Sequence, residues 1–137
     1  MDKAVSKKVA KTFVGKRKTA VASLTIKPGK GNVYINSRPI ETFGTASTRR
    51  KILAPLLLMP EARKTHDFQI RAHGGGYMAI ADAAATAVAK ALAAMSAKNK
   101  RKILEYDRML LAGDPRRTEP KKPGRRSARR FKQKSYR

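Results

Sequence analysis

Two histidines, a run of three glycines and several clusters of adjacent cations are the residues of this chain best placed to do chemistry. HGGGYM, residues 73–78, falls between a segment that alternates like a strand and one built like a helix. A glycine-rich strand-to-helix turn aims backbone amides at an anion beside the helix N-terminus. The nucleotide-binding form of such a loop needs Gly-Lys-Ser/Thr or G-x-G-x-x-G, and neither follows. The plainer reading is a tight turn whose glycines supply positive φ or close backbone approach. His73, Gly74 and Gly75 would then meet a phosphate backbone only incidentally. His66 and His73 have no cysteine and no carboxylate pattern around them, so no metal site and no cofactor is expected. No Ser-His-Asp constellation or carboxylate pair stands out. With nine acids scattered over 137 residues, catalysis has little to work with, and an enzyme is not expected.

The cations are another matter. The formal net charge is +24, from 33 Lys and Arg against nine Asp and Glu. Self-repulsion on that scale destabilises a compact chain unless a polyanion is bound. GKRK places Lys16, Arg17 and Lys18 beside a strand, and TRRK places Arg49, Arg50 and Lys51 at the start of a helix, where phosphate contact is favoured. The densest charge is at the end: residues 108–137 hold 12 Lys and Arg against two acids. Arg116, Arg117, Lys121, Lys122, Arg125, Arg126, Arg129, Arg130 and Lys132 stand there among Gly, Pro, Ser and two aromatics. Arginine forks onto phosphate, and arginine and aromatic rings both stack on bases, a mixture suited to irregular RNA. Duplex DNA is the competing polyanion, but no helix-turn-helix, basic zipper or zinc finger is visible. Too few apolar residues stand in the tail for a membrane-surface helix.

Cysteine and tryptophan are absent, which excludes disulfides and thiolate chemistry. No segment approaches eighteen consecutive apolar residues, so no membrane-spanning helix is expected. The start, MDKAVSKKVAKTFVGKRK, lacks the apolar stretch of a signal peptide, which points to a chain that stays in the cytosol.

These groups must be carried by something. After Leu111 there is no Ile, Leu, Val or Met, so residues 112–137 are expected to form an extended basic tail, ordered only on a polyanion. Fully extended, its 26 residues reach roughly 80 Å. Residues 1–111 read as a globular α+β domain. Residues 18–27 alternate as a half-buried strand, PGKGN makes a turn and residues 32–36 return as a second strand, which predicts a hairpin. Residues 48–59 predict a helix with Thr48 as N-cap and a break or kink at Pro55. Residues 67–72 alternate again. Residues 77–98 predict an alanine-rich helix, with Ile80, Ala84, Val88, Ala91 and Met95 on one face, able to lie close against a sheet. Residues 100–111 predict a further helix with Leu104 and Leu111 near one face.

The run LEYDRMLLAGDPRRTEPKKPG and the terminal ARRFKQKSYR closely resemble the family of the ninth protein of the small ribosomal subunit. GKRKTAVA, GKGNVYINSRPIETF and GGGYM match the same family, in its order and spacing, from about Phe13 to Arg137. The Tyr-Arg ending resembles the archaeal and eukaryotic branch. Ala79, Ile80 and Ala85 stand where the family usually has Gly, Gln and Arg, so the contacts of those three family residues do not carry over. The resemblance implies a domain like the second domain of ribosomal protein five, bound to small-subunit ribosomal RNA in the head beside neighbouring head proteins. It implies a tail threading toward the decoding site, with Arg137 at the anticodon stem-loop of the peptidyl-site transfer RNA and Lys134, Ser135 and Tyr136 lining the approach.

Overall fold

The computed structural model describes residues 11–137. The reading of the first residues as free of a signal peptide, and as the beginning of the domain, lies outside the described residues. Five strands form one mixed sheet in the order β1-β2-β5-β3-β4. They are β1 (Thr12–Arg17), β2 (Ala20–Pro28), β3 (Val33–Ile35), β4 (Arg38–Pro39) and β5 (His66–His73). A 3₁₀ turn (Ile40–Thr42), α1 (Ala46–Leu57) and α2 (Pro60–Thr65) precede β5, and α3 (Tyr77–Met95), α4 (Ala97–Tyr106) and α5 (Met109–Ala112) follow it. The domain is therefore α+β, as the sequence predicts.

The α3 helix covers one face of the sheet across β1, β2 and β5, and α1, α4 and α5 pack against α3. Ala22 and Leu24 of β2 and Phe68 and Ile70 of β5 share one buried cluster with Ala84, Val88 and Leu92 of the helix, and Val33 and Ile35 of β3 belong to it too. Alanine is what allows the approach. A Cβ on Gly15 of β1 would collide with the Ala83 carbonyl oxygen and lie 2.7 Å from the Ala87 amide nitrogen. Strand and helix backbones are therefore in direct contact, with no side chain between them. By composition α3 is long and apolar enough to cross a membrane, but most of its surface is buried in this core.

The predicted hairpin of residues 18–27 and 32–36 does not form. β5 lies between β2 and β3, antiparallel to the first and parallel to the second. The reason is length: β5 pairs eight residues with β2, whereas β3 offers only three. The PGKGN segment is a crossover around the start of β5, not a hairpin turn. Asp67 Oδ1 there accepts the amides of Lys30, Gly31 and Asn32 at 2.9, 2.9 and 2.8 Å. The true hairpins are β1–β2, through Lys18 and Thr19, and β3–β4, through Asn36 and Ser37. Asn36 and Ser37 both have positive φ, the geometry that matches the strand twist. Gly15–Arg17 closes β1, and Lys18 opens the turn into β2.

Helix ends also differ from expectation. Thr45 caps α1 by accepting from the Thr48 amide, while Thr48 itself is buried in the first turn. Pro55 stands in the last turn and the helix continues to Leu57, so it marks the end and makes no central break. The α3 helix stops at Met95 because Ser96 turns extended and caps α4. Ile103 is the buried residue of α4, while Leu104 is 45% exposed. Asp107 divides the last predicted helix and accepts the Met109 amide.

Gly15→Ala is expected to lower stability by ~1–3 kcal/mol, since overpacking displaces backbone here. Thermal unfolding should register a fall of roughly 4–8 °C for each kcal/mol; an unchanged Tm would show that β1 can back away. Asp67 gives a pH signature. The Asn32 amide first, then those of Lys30 and Gly31, hold its carboxyl below its ordinary 3.8. A depressed carboxylate stabilises the fold above the unfolded value and stops doing so as pH falls through the folded one. Urea unfolding between pH 5 and 2 should therefore show a shallower acid loss for Asp67→Asn than for the unsubstituted chain.

Candidate nucleic-acid interface

The expected cationic clusters separate into groups that are paired within the protein and groups that are not. Arg17, at the end of β1, is half-buried between two carboxylates: 3.8 Å from Asp82 of α3 and 3.1 Å from Asp114 at the root of the tail. Its Nη1 also donates to the Arg116 carbonyl at 3.4 Å, and Arg17 and Asp114 form a parallel backbone bridge. Lys51 reaches the same Asp82 from α1 at 2.8 Å. The GKRK and TRRK clusters thus meet on one acid. Arg49 donates to the Glu41 carbonyl. Lys16, Lys18 and Arg50 are exposed, and Lys18 has φ 53, which sets its side chain at the hairpin tip.

Asp114 is also gripped by Arg116, Nε at 3.0 Å and Nη2 at 2.6 Å. The hydrogen bonds from the Arg116 side chain and amide, with Arg17 nearby, hold the Asp114 carboxyl far below the usual carboxylate range. Asp82 and Asp114, the acids that organise these cations, stand outside the GKRK and TRRK clusters. The signal was available: Asp82 is the one acid in an alanine helix, and Lys90 the one cation. Lys90 Nζ donates to the Val14 carbonyl at 3.1 Å. With Lys16, Lys18 and Arg117 it lines an open groove of about 830 Å³ below the tail root.

His73 is exposed at the end of β5, opposite Val21 of β2. Gly74 and Gly75 have φ 73 and 65, and a Cβ on Gly74 would collide with the Thr19 carbonyl. The tight-turn reading of HGGG holds for these two. Gly76 caps α3 in extended backbone with open space around it. His66 and His73 lie at opposite ends of β5, and no His/Asp/Glu group suited to a metal occurs among the described residues.

Beyond Ala112 there is no helix or strand, only isolated bridges. The segment is nevertheless not simply extended. Glu119 holds Lys122 and Arg129, both at 2.9 Å, and these contacts, Lys122 first, keep its carboxyl below the ordinary range. Arg125 lies 4.2 Å from the Phe131 ring centroid. Arg117, Lys121, Arg126, Arg130, Lys132, Lys134 and Arg137 are exposed and their side chains have no ion-pair partner among the described residues. Ser135 is exposed beside Tyr136, which is 90% exposed.

A small α+β core whose Asp82 and Asp114 hold Arg17, Lys51 and Arg116, and whose last thirty residues present a row of unpaired cations, defines a basic scaffold protein. A family model for ribosomal protein S9/S16 matches residues 15–137. The small ribosomal subunit protein uS9 of Desulfurococcus amylolyticus is 51% identical over 125 residues, covering 90% of this chain and 89% of its own. Its counterparts in Pyrobaculum aerophilum and Methanococcus maripaludis are 47% and 43% identical, again over 90% of this chain and over 89% and 96% of theirs. The chain belongs to the ribosomal protein S9/S16 family, whose members are structural proteins and not enzymes.

The Arg17–Asp114 pair is partly buried, so a double-mutant cycle should resolve it. Arg17→Gln and Asp114→Asn are each expected to destabilise slightly, and the double variant to lose less in urea unfolding than the sum of the two. Strict additivity would mean the tail root is held by something else.

Proposed function

We propose that the chain is a structural constituent of the small ribosomal subunit that binds ribosomal RNA of the head. The reading includes neighbouring head proteins as partners and the cytoplasm as location. Its domain is taken to compare with the second domain of ribosomal protein five. Residues 112–137 are read as a tail that runs through RNA and brings residues 134–137 to the peptidyl-site transfer RNA. The observation that carries this is the pairing pattern. Both acids of the last thirty residues, Asp114 and Glu119, are engaged by neighbouring cations. The remaining cations face outward without partners among the described residues. Such an array repels itself, and bound phosphates relieve that repulsion.

Of the cluster residues, Lys16, Lys18, Arg50 and His73 are free to touch RNA, with Gly74 and Gly75 bringing backbone near it. Arg17, Arg49 and Lys51 act by holding the frame. In the tail, Arg116, Lys122, Arg125 and Arg129 shape the chain, while Arg117, Lys121, Arg126, Arg130 and Lys132 face the ribosomal RNA. Arg137, approached through Lys134, Ser135 and Tyr136, meets the transfer-RNA backbone.

A tagged full chain should sediment with small subunits on a sucrose gradient after a high-salt wash. Remaining at the top of the gradient would end the ribosomal reading. Deleting residues 134–137 should leave sedimentation and circular dichroism unchanged. It should weaken peptidyl-site transfer-RNA binding about tenfold, the loss of one charge-assisted contact of ~1.5 kcal/mol.

A further inference from the structure

Residues 125–131, RRSARRF, close on themselves. Arg125 and Phe131 form an antiparallel bridge, and the Arg126 amide donates to the Arg130 carbonyl at 2.8 Å. Inside the loop the Arg130 amide donates to Ser127 Oγ at 3.1 Å and Arg125 Nη1 to the Ala128 carbonyl at 3.4 Å. Arg125 lies over the Phe131 ring, so these two side chains share one face of the bridge. Glu119 holds Arg129 from outside. Four arginines in a seven-residue loop would repel one another; two are accounted for, Arg125 by the ring and Arg129 by the carboxylate.

The other two are not. The backbone hydrogen bond between them sets Arg126 and Arg130 opposite one another, immediately inside the Arg125–Phe131 bridge. No carboxylate pairs with either among the described residues. Like charges directly opposite one another across paired strands are destabilising. A loop that brings two arginines opposite one another across its closing hydrogen bond, with neither side chain in an ion pair among the described residues, is relieved by an anion shared between the two. Two forked donors on paired residues suit a tetrahedral oxyanion with several acceptor oxygens.

We infer that Arg126 and Arg130 form a two-armed clamp for a single backbone phosphate of RNA, preorganised by the Arg125–Phe131 closure. The inference rests on the RNA-binding reading above and adds to it a discrete site. The other tail cations act independently, each on its own phosphate; these two act as one.

That difference is measurable with full-length protein and a transcript of the small-subunit head RNA, by filter binding at fixed salt. Arg126→Gln and Arg130→Gln should each weaken binding about tenfold, as loss of a charge-assisted contact does. The double variant should lose much less than the product of the two, because one arm gone already releases the phosphate. Arg117→Gln combined with Arg126→Gln should multiply, since those two sites are separate. Phe131→Ala, which changes no charge, should weaken binding and bring the Arg126 and Arg130 losses to additivity. Simple multiplication at 126 and 130 in the unsubstituted background would overturn the clamp while leaving RNA binding intact. An unsubstituted chain with no affinity for the transcript would overturn the RNA reading itself, and the clamp's ligand with it.

Discussion

Direct contact between the backbones of β1 and α3 is the constraint on which the arrangement of charge depends. Gly15 presents no side chain, and α3 answers with Ala83 and Ala87. Two residues further along the strand, on the same face, comes Arg17. Because the strand lies so close to the helix, the Arg17 side chain emerges at the rim of the core beside Asp82, the residue next to Ala83 on α3. A bulkier residue at position 15 would lift β1 away and carry the guanidinium out of reach of both carboxylates. The packing rule and the electrostatic rule are thus the same rule, applied two residues apart.

From that point the chain sorts its cations. Asp82 draws Arg17 and Lys51 together from β1 and α1; Asp114 draws Arg17 and Arg116 together from the core and the tail. Pairs of this kind at a protein surface contribute little each. Their value here is directional. The Arg17–Asp114 bridge runs parallel to β1, so the tail leaves the domain along an edge that the sheet already defines. Glu119 repeats the device farther out, where it joins Lys122 and Arg129 across the intervening chain. Few acids are present, and the ones in the last thirty residues stand where they bend a cationic segment.

Much of this was legible in the sequence. The alternation of residues 67–72, the alanine helix and the loss of large aliphatics after Leu111 announced β5, α3 and the end of the core. What failed was pairing. PGKGN between two alternating runs is as good a hairpin as local chemistry can write, yet β5 took the place beside β2. A longer strand arriving forty residues later has more surface and more ladder to offer than a three-residue neighbour. Contacts at that separation leave no mark on a local window. The caps failed for a smaller reason: Thr45 and Thr48 are both competent, and only burial of Thr48 decides between them. At the site, a cation's sequence neighbours do not show which acid will meet it: Arg17 and Lys51 both reach Asp82, which is distant from each of them along the chain.

The tail bears on how an unfoldable composition can still be specific. Residues 112–137 have no core to join, and an entirely free chain would lose backbone entropy of roughly 1–2 kcal/mol per residue on being ordered. Local closures reduce that loss before any partner arrives. The Arg116 grip on Asp114, the Glu119 bridge and the Arg125–Phe131 loop each restrict a few residues through contacts that the segment makes with itself. Each also removes a cation from the outward-facing set. The segment therefore exchanges some of its charge for shape, and the charge it keeps is presented at fixed places along the chain. A uniform run of lysine would bind any polyanion with equal indifference. A run of arginines set among two acids, a phenylalanine and three prolines can favour a polyanion whose charges match its spacing.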